Sequence, residues 1–203
     1  MNIKKFYARH LRNPKGFGGR IVTSVMNKQN LPLYEATIKL LKPSKSDVIL
    51  DIGCGNGYVL GMLAKQYGGL YIGIDSSKSI IKSARRRNRE FVETGKITFI
   101  WQNAESMDFN EKSFDKIFTI NTVYFWEEPE KIMTQIHRVL KPKGLFINTL
   151  YSNETLARLS HTNYGYNRHT LKQLIDYGND ANFKVEAVPI LNNAAYCVMY
   201  EVI

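Results

Sequence analysis

Val48–Gly57 reads VILDIGCGNG, an apolar run that ends at an acid, Asp51, and enters a turn with glycines at 53, 55 and 57. Glycine takes positive φ at little cost and lets a ligand approach the main chain without meeting a Cβ. Such a turn between a strand and a helix also suits a pyrophosphate, so by itself it leaves a dinucleotide open. Asp51 shifts the balance, because a carboxylate just ahead of the turn disfavours a pyrophosphate and attracts a cation such as an ammonium or sulfonium. A second acid, Asp75, ends the next apolar run, near the roughly 20-residue offset at which a carboxylate can hold vicinal ribose hydroxyls. The simpler roles are local: an N-cap for Asp75 and turn stabilisation for Asp51. Together the two acids favour a nucleoside ligand that carries positive charge.

The elements that must position these groups alternate between short apolar runs and longer stretches of helical period, the pattern of βαβ units on a parallel sheet. Strands are expected at Asp47–Asp51, Leu70–Ile74, Ile97–Trp101, Phe114–Ile120 and Gly144–Thr149. Helices are expected at Gly57–Tyr67, Ser77–Glu93 and Pro129–Leu140, with Lys141–Gly144 (KPKG) as the last one's stop signal. A helix near Thr170–Asn179 and two strands, Phe183–Val188 and Ala195–Val202, follow as an antiparallel edge hairpin. Ahead of the sheet, Met1–Pro43 reads as two short helical stretches joined near Asn30–Pro32, and Asn13–Gly19 as a glycine-rich turn. The expected fold is therefore α/β: a Rossmann-like, doubly wound, mostly parallel seven-stranded sheet with an N-terminal helical cap. One domain over 1–203 is expected, divided into a cap or lid (1–43), a cofactor-binding core (47–150) and a variable acceptor segment with the hairpin (151–203).

Four ordered blocks now stand together: LDIGCGNG at Leu50–Gly57, GID at Gly73–Asp75, NAESMDFNEKSFD at Asn103–Asp115 and RVLKPKG at Arg138–Gly144. On these the chain resembles the class I S-adenosylmethionine-dependent methyltransferases, especially the branch with the ubiquinone and menaquinone C-methyltransferases. The resemblance implies S-adenosylmethionine as methyl donor, with S-adenosylhomocysteine as product and no metal. It places Gly53 and Gly55 beside the methionine moiety, Asp51 at its amino group, Asp75 on the ribose, and Asn103 and Ala104 at the adenine edge. Cys54, Ser76 and Asn121 complete the implied cofactor set. Many relatives carry Asp at the Asn103 position; an Asn accepts from the adenine amine through its amide oxygen, more weakly.

The segment Thr119–Trp126 (TINTVYFW) leaves the fourth strand at the crevice where α/β sheets bind ligands, so Tyr124, Phe125 and Trp126 are acceptor-pocket candidates. Packing under the next helix is the competing role for each ring. Tyr151, Tyr164 and Tyr166 join them from the variable segment, with His10 and Phe17 from the N-terminal lid, where closure would exclude water. Methyl transfer from a sulfonium is an in-line displacement with a good leaving group, so positioning supplies most of the acceleration. Where an acceptor proton must leave, His161 is the candidate base.

Composition bounds the alternatives. With a net charge of +10 and a pI near 9.5, the chain would suit an anionic partner, but basic runs such as Lys82–Arg89 also serve as solvated helix faces. Methyltransferases of flipped-base amines carry two prolines and an aromatic after an Asn or Asp where this chain reads Asn121, Thr122, Val123, Tyr124. A small-molecule acceptor is thus favoured over a nucleic acid, and over a cofactor-binding protein without turnover. Arsenite methylation would need more thiols than Cys54 and Cys197, and those two predict neither a disulfide nor structural zinc. No run approaches the roughly 18–20 apolar residues of a membrane span, and Met1–Arg12 lacks the apolar stretch of a secretory signal, so a cytoplasmic protein without membrane contact, monomeric or homodimeric, is expected.

Overall fold

The parallel order is set by β-branched and aromatic runs too apolar to face water on either side. A computed structural model describes residues 16–159, 162 and 166–203, with side chains from residue 26 onward. Its strands are β1 (Val48–Ile52), β2 (Leu70–Asp75), β3 (Ile97–Trp101), β4 (Phe114–Ile120), β5 (Leu140–Tyr151), β6 (Phe183–Ile190) and β7 (Ala195–Val202). They form one seven-stranded sheet in the order β3-β2-β1-β4-β5-β7-β6. The first five run parallel, and β7 is antiparallel to both β5 and β6. The predicted architecture, with its C-terminal edge hairpin, is the observed one.

Helices α1 (Gly16–Leu41), α2 (Tyr58–Gln66), α3 (Lys78–Arg87) and α4 (Arg89–Glu93) precede β3 or β1 in the chain, and α5 (Pro129–Val139), α6 (Asn153–Arg158) and α7 (Leu171–Asp180) follow β4. Each sheet face carries its own core. On one, Tyr34, Ile38 and Leu41 of α1 meet Leu60, Leu63 and Ile81 from α2 and α3. On the other, Ile132, Met133 and Ile136 of α5 meet Leu156 of α6 and Leu174 of α7. Amphipathic spacing at three and four residues puts these side chains on single helical faces.

Three local readings are corrected. Residues 16–41 form one helix with Pro32 inside it, not two stretches joined near Asn30–Pro32, and Gly16–Gly19 lie in that helix rather than in a turn. Pro32 removes one backbone donor, but Leu33, Tyr34, Thr37, Ile38 and Leu41 are buried, and their burial holds the helix together. The Ser77–Glu93 stretch is instead split at Asn88, whose buried side chain donates to Ala84 O and Gly57 O, both at 3.1 Å. Finally, KPKG belongs to β5: the helix stops at Val139, Lys143 takes φ 60°, and Lys141 Nζ reaches both Asp115 oxygens at 2.8 Å.

Candidate functional site

Because β1, β2, β3, β4 and β5 are parallel, the residues at their C-terminal ends gather along one edge of the sheet. β1 lies between β2 and β4, so the chain leaves it in opposite directions, the switch point at which α/β sheets open a ligand crevice. The glycine turn crosses this point. Its Gly53 and Cys54 N–H groups both donate to Ile74 O, at 2.9 and 3.0 Å, tying the turn to β2. On the other flank Thr119 Oγ1 donates to Ile52 O at 2.7 Å and is hydrogen-bonded to the Thr122 hydroxyl.

The turn glycines answer two different demands. All three have positive φ: 72° at Gly53, 53° at Gly55 and 71° at Gly57. A Cβ on Gly53 would stand 2.4 Å from Thr122 Cγ2, and one on Gly57 2.6 Å from Phe99 Cζ, so packing forbids a side chain at both. A Cβ on Gly55 would meet nothing within 4 Å. Packing therefore does not require glycine there, whereas a ligand lying against the main chain would.

Asp51 is only 4% exposed and accepts no hydrogen bond among the described residues. Burial, reinforced by the Asp75 carboxylate, holds its carboxyl well above the usual range. Buried acids are costly unless paired, so this one is suited to a ligand cation. Asp75 accepts from Ser77 N–H at 2.8 Å and from Gly55 N–H at 3.3 Å; the N-cap of the following helix is Ser77, so Asp75 closes a turn ahead of the helix instead of capping it, and braces the glycine turn as well. Burial still raises its carboxyl above the ordinary value. The same burial raises the Cys54 thiol, which keeps it protonated and unreactive.

At the ends of β4 and β5 the groups are neutral. Asn121, held at φ 57°, donates through Nδ2 to Asn30 Oδ1 at 3.3 Å, and the Tyr151 hydroxyl donates to the same oxygen at 3.2 Å. The Tyr124 hydroxyl accepts from Tyr151 N–H at 2.8 Å and lies 3.3 Å from Asn121 Oδ1. Tyr124 and Trp126 are buried in the core, while Phe125, Tyr151 and Tyr166 are half-buried. The Tyr166 ring sits 5.3 Å from Tyr124 and 4.9 Å from Phe125, and Asn167 clips this segment to the turn through Tyr124 O (2.8 Å) and Trp126 O (3.0 Å).

Ser76 is exposed, with its carbonyl accepting from the Trp101 indole at 2.9 Å. Asn103 caps the short turn Ala104–Ser106 and is exposed. His10, His161, Tyr164 and the Phe17 side chain lie outside the described residues. The sequence reading missed Asn30 and Tyr34 of α1. Tyr34 is buried beside the Tyr58 ring, its hydroxyl pushed up to about 12 by burial, with Asp51, Tyr151 and Tyr58 adding to it. Their signal was the run of buried side chains at Leu33, Tyr34, Thr37 and Ile38, which Pro32 masked as a break.

A family profile described as "Methyltransferase domain" matches residues 50–148, which span the glycine turn, both acids and the β4 exit. The uncharacterized methyltransferase YdaC of Bacillus subtilis is 30% identical over 134 residues, 66% of this chain and 72% of that protein. Sterol 24-C-methyltransferase ERG6 of Saccharomyces cerevisiae is 27% identical over 64% of this chain, and the match spans 32% of the yeast protein, about a third of its length. A chain from the solved complex of the Haloferax volcanii Trm112 methyltransferase activator superposes with a TM-score of 0.77 at 17% identity, over 88% of this chain and 92% of that one, which speaks for the fold. Taken with the glycine turn and its two strand-end acids, these likenesses mean that the chain belongs to the class I S-adenosylmethionine-dependent methyltransferases.

Proposed function

We propose that this enzyme transfers the methyl group of S-adenosylmethionine to a small, neutral, partly apolar acceptor held at the ends of β4 and β5. Buried Asp51, with no hydrogen-bond or ion-pair partner among the described residues, carries the donor half of this reading, since such a carboxylate is suited to an ammonium ion. The open space over Gly55 fits a ligand lying against the turn, and Asp75 keeps lone pairs for ribose hydroxyls beyond its two N–H donors. Gly53, Cys54, Ser76, Asn103, Ala104 and Asn121 complete the proposed donor site.

S-adenosylmethionine supplies an electrophilic methyl group when bound. The chain's own part is to fix two reactants and exclude water, and the Thr119–Thr122 pair links the donor turn to the acceptor segment. Phe125, Tyr151 and Tyr166 offer aromatic faces there, with Tyr124 and Trp126 behind them, and Tyr164, His10 and Phe17 are proposed to complete the pocket. Burial raises the phenols of Tyr34, Tyr151 and Tyr166, so at neutral pH they act as hydrogen-bond donors rather than bases. Where an acceptor proton must leave, His161 is our candidate to take it. The relative named for sterol methylation supports an apolar small-molecule acceptor.

Three arginines of the basic stretch have local partners, which supports the solvated-helix-face reading of that stretch. Arg85 is spent on Phe99 O at 2.6 Å, Arg87 lies over the Tyr58 ring, and Arg89 pairs with Glu93 at 2.7 Å. Calorimetric titration with S-adenosylmethionine and S-adenosylhomocysteine, with NAD as control, tests the donor assignment. Saturable binding of both sulfur compounds that is lost in Asp75→Ala supports it, and tight NAD binding with no response to either compound overturns it. Product screening against phenols, quinols and sterols, with an RNA oligonucleotide as the competing class, then tests the acceptor.

A further inference from the structure

We propose that the outer face of α3 and the Trp101 ring at its head form a docking surface for an anionic lipid bilayer. Residues 76–89 (SSKSIIKSARRRNR) hold six basic side chains and no acid. Arg85, Arg87 and Arg89 are spent on Phe99 O, the Tyr58 ring and Glu93. The other three, Lys78, Lys82 and Arg86, recur every fourth residue, so they line one stripe of the helix, roughly 12 Å long. All three are exposed, while Ile80, Ile81 and Ala84 are buried on the opposite side. Lys82 and Arg86 have no hydrogen bond, ion pair or ring contact among the described residues. The next acids, Glu90 and Glu93, come only after Arg89, which holds the second of them.

The ring at the head of this stripe sets it apart from an ordinary solvated face. Trp101 closes β3 at 59% exposure and is the one exposed aromatic ring among the described residues. Its indole N–H donates to Ser76 O at 2.9 Å and Lys78 Nζ lies 5.4 Å from the ring centroid, so the side chain is held outside the core. A tryptophan flanked by lysine and arginine suits the headgroup layer of a bilayer, where the ring meets apolar chains and the cations meet anionic lipids. A nucleic-acid strand fits less well, because it stacks on successive rings, whereas α3 carries none and Lys78 overlies the single ring at its head. Trp101 and Lys78 stand where β3 and β2 end, on the edge that also carries the crevice, so docking here brings the crevice to the lipid surface. A peripheral contact of this kind needs no membrane-spanning helix, and it departs from the expectation of a chain without membrane contact. It depends on neither the donor nor the acceptor assignment.

Tryptophan fluorescence of the full chain tests this directly, because the other tryptophan, Trp126, is buried and a change on binding reports Trp101. Vesicles of phosphatidylcholine mixed with phosphatidylglycerol should move the emission to shorter wavelength, vesicles of phosphatidylcholine alone should not, and added salt should reverse the shift. Lys82→Glu with Arg86→Glu should weaken co-sedimentation with the mixed vesicles at least tenfold. The same charge change at Lys112 and Lys143, exposed near the starts of β4 and β5 on the opposite edge of the sheet, should weaken it by less than about threefold. Trp101→Ala should also weaken it, with every charge kept; Lys82→Gln with Arg86→Gln provides a second variant should the glutamate pair fold poorly. No shift with the mixed vesicles, or equal weakening in the two glutamate double variants, overturns the proposal. A single-stranded RNA oligonucleotide that perturbs Trp101 where the vesicles do not overturns it as well.

Discussion

The Tyr151 hydroxyl donates to the side-chain oxygen of Asn30 at 3.2 Å across 121 residues of sequence, and Asn121 Nδ2 reaches the same oxygen at 3.3 Å. A single amide on α1 thus gathers the ends of β4 and β5, and the buried Thr37–Thr149 hydroxyl pair at 2.7 Å repeats the link about two helical turns further along α1. Helix α1 is therefore part of the site's wall. Asn30→Ala leaves two donors without their acceptor and should cost about 1–2 kcal/mol. Hydrogen exchange would locate the loss: amides of 26–36 should exchange faster while those of β1 and β2 hold. Uniform protection would show that α1 is held by its apolar face alone.

Asp51 sets stability against binding. Its folded pKa is raised, so between the unfolded carboxyl pKa of about 3.9 and that raised value the native state holds the extra proton. Stability from this group is present below the unfolded pKa and is lost as pH rises through the folded one. Asp51→Asn removes the buried charge and should raise the melting temperature near pH 7 by a few degrees, roughly 2–4 °C for each kcal/mol regained. It should also abolish S-adenosylhomocysteine binding, since the ammonium loses its counter-charge. In the native protein, affinity for that ligand should fall as pH is lowered through the raised Asp51 pKa. A lower melting temperature in the variant would mean that Asp51 is paired in solution.

The parts legible in the sequence share one property, that their causes are local. The glycine turn, Asp51 and Asp75 were readable because positive φ and strand-end acids leave marks within a few residues. The five parallel strands were readable because each is a compact apolar run. Helix α1 was not, because Pro32 speaks for a break while the burial of Leu33, Tyr34 and Ile38 against a sheet formed later in the chain speaks for continuity. Asn103 was read by position, and only its side-chain partners show that it is tied to Glu105.

Gly53 and Gly55 should part company on substitution. Both are left-handed, so an alanine at either place carries a conformational cost of roughly 1–2 kcal/mol. At Gly53 the added methyl also meets Thr122 Cγ2 at 2.4 Å, and overpacking of this kind costs about 1–3 kcal/mol more. Gly55→Ala should therefore stay folded with a modest fall in melting temperature, yet lose S-adenosylhomocysteine affinity by at least tenfold. Gly53→Ala should lose stability about twice as far. Equal melting curves, or full affinity in Gly55→Ala, would refute the distinction between packing and ligand clearance.

Asn88 supports the far end of the same turn. It donates to Gly57 O, the carbonyl of a residue at φ 71°, and to Ala84 O, while a Cβ on Gly61 would fall 2.5 Å from its Oδ1. Asn88→Ala removes both donors and opens a small void, for a cost of about 1–3 kcal/mol. Asn88→Asp keeps the shape but turns a carboxylate towards two carbonyl oxygens in a buried place. If donation is what matters, the aspartate variant should be the less stable of the two at pH 7 and should recover part of the difference as the carboxyl is protonated on acidification. If Asn88 merely fills space, the aspartate variant should instead melt close to the native protein and above the alanine variant, a difference that thermal unfolding at two pH values resolves.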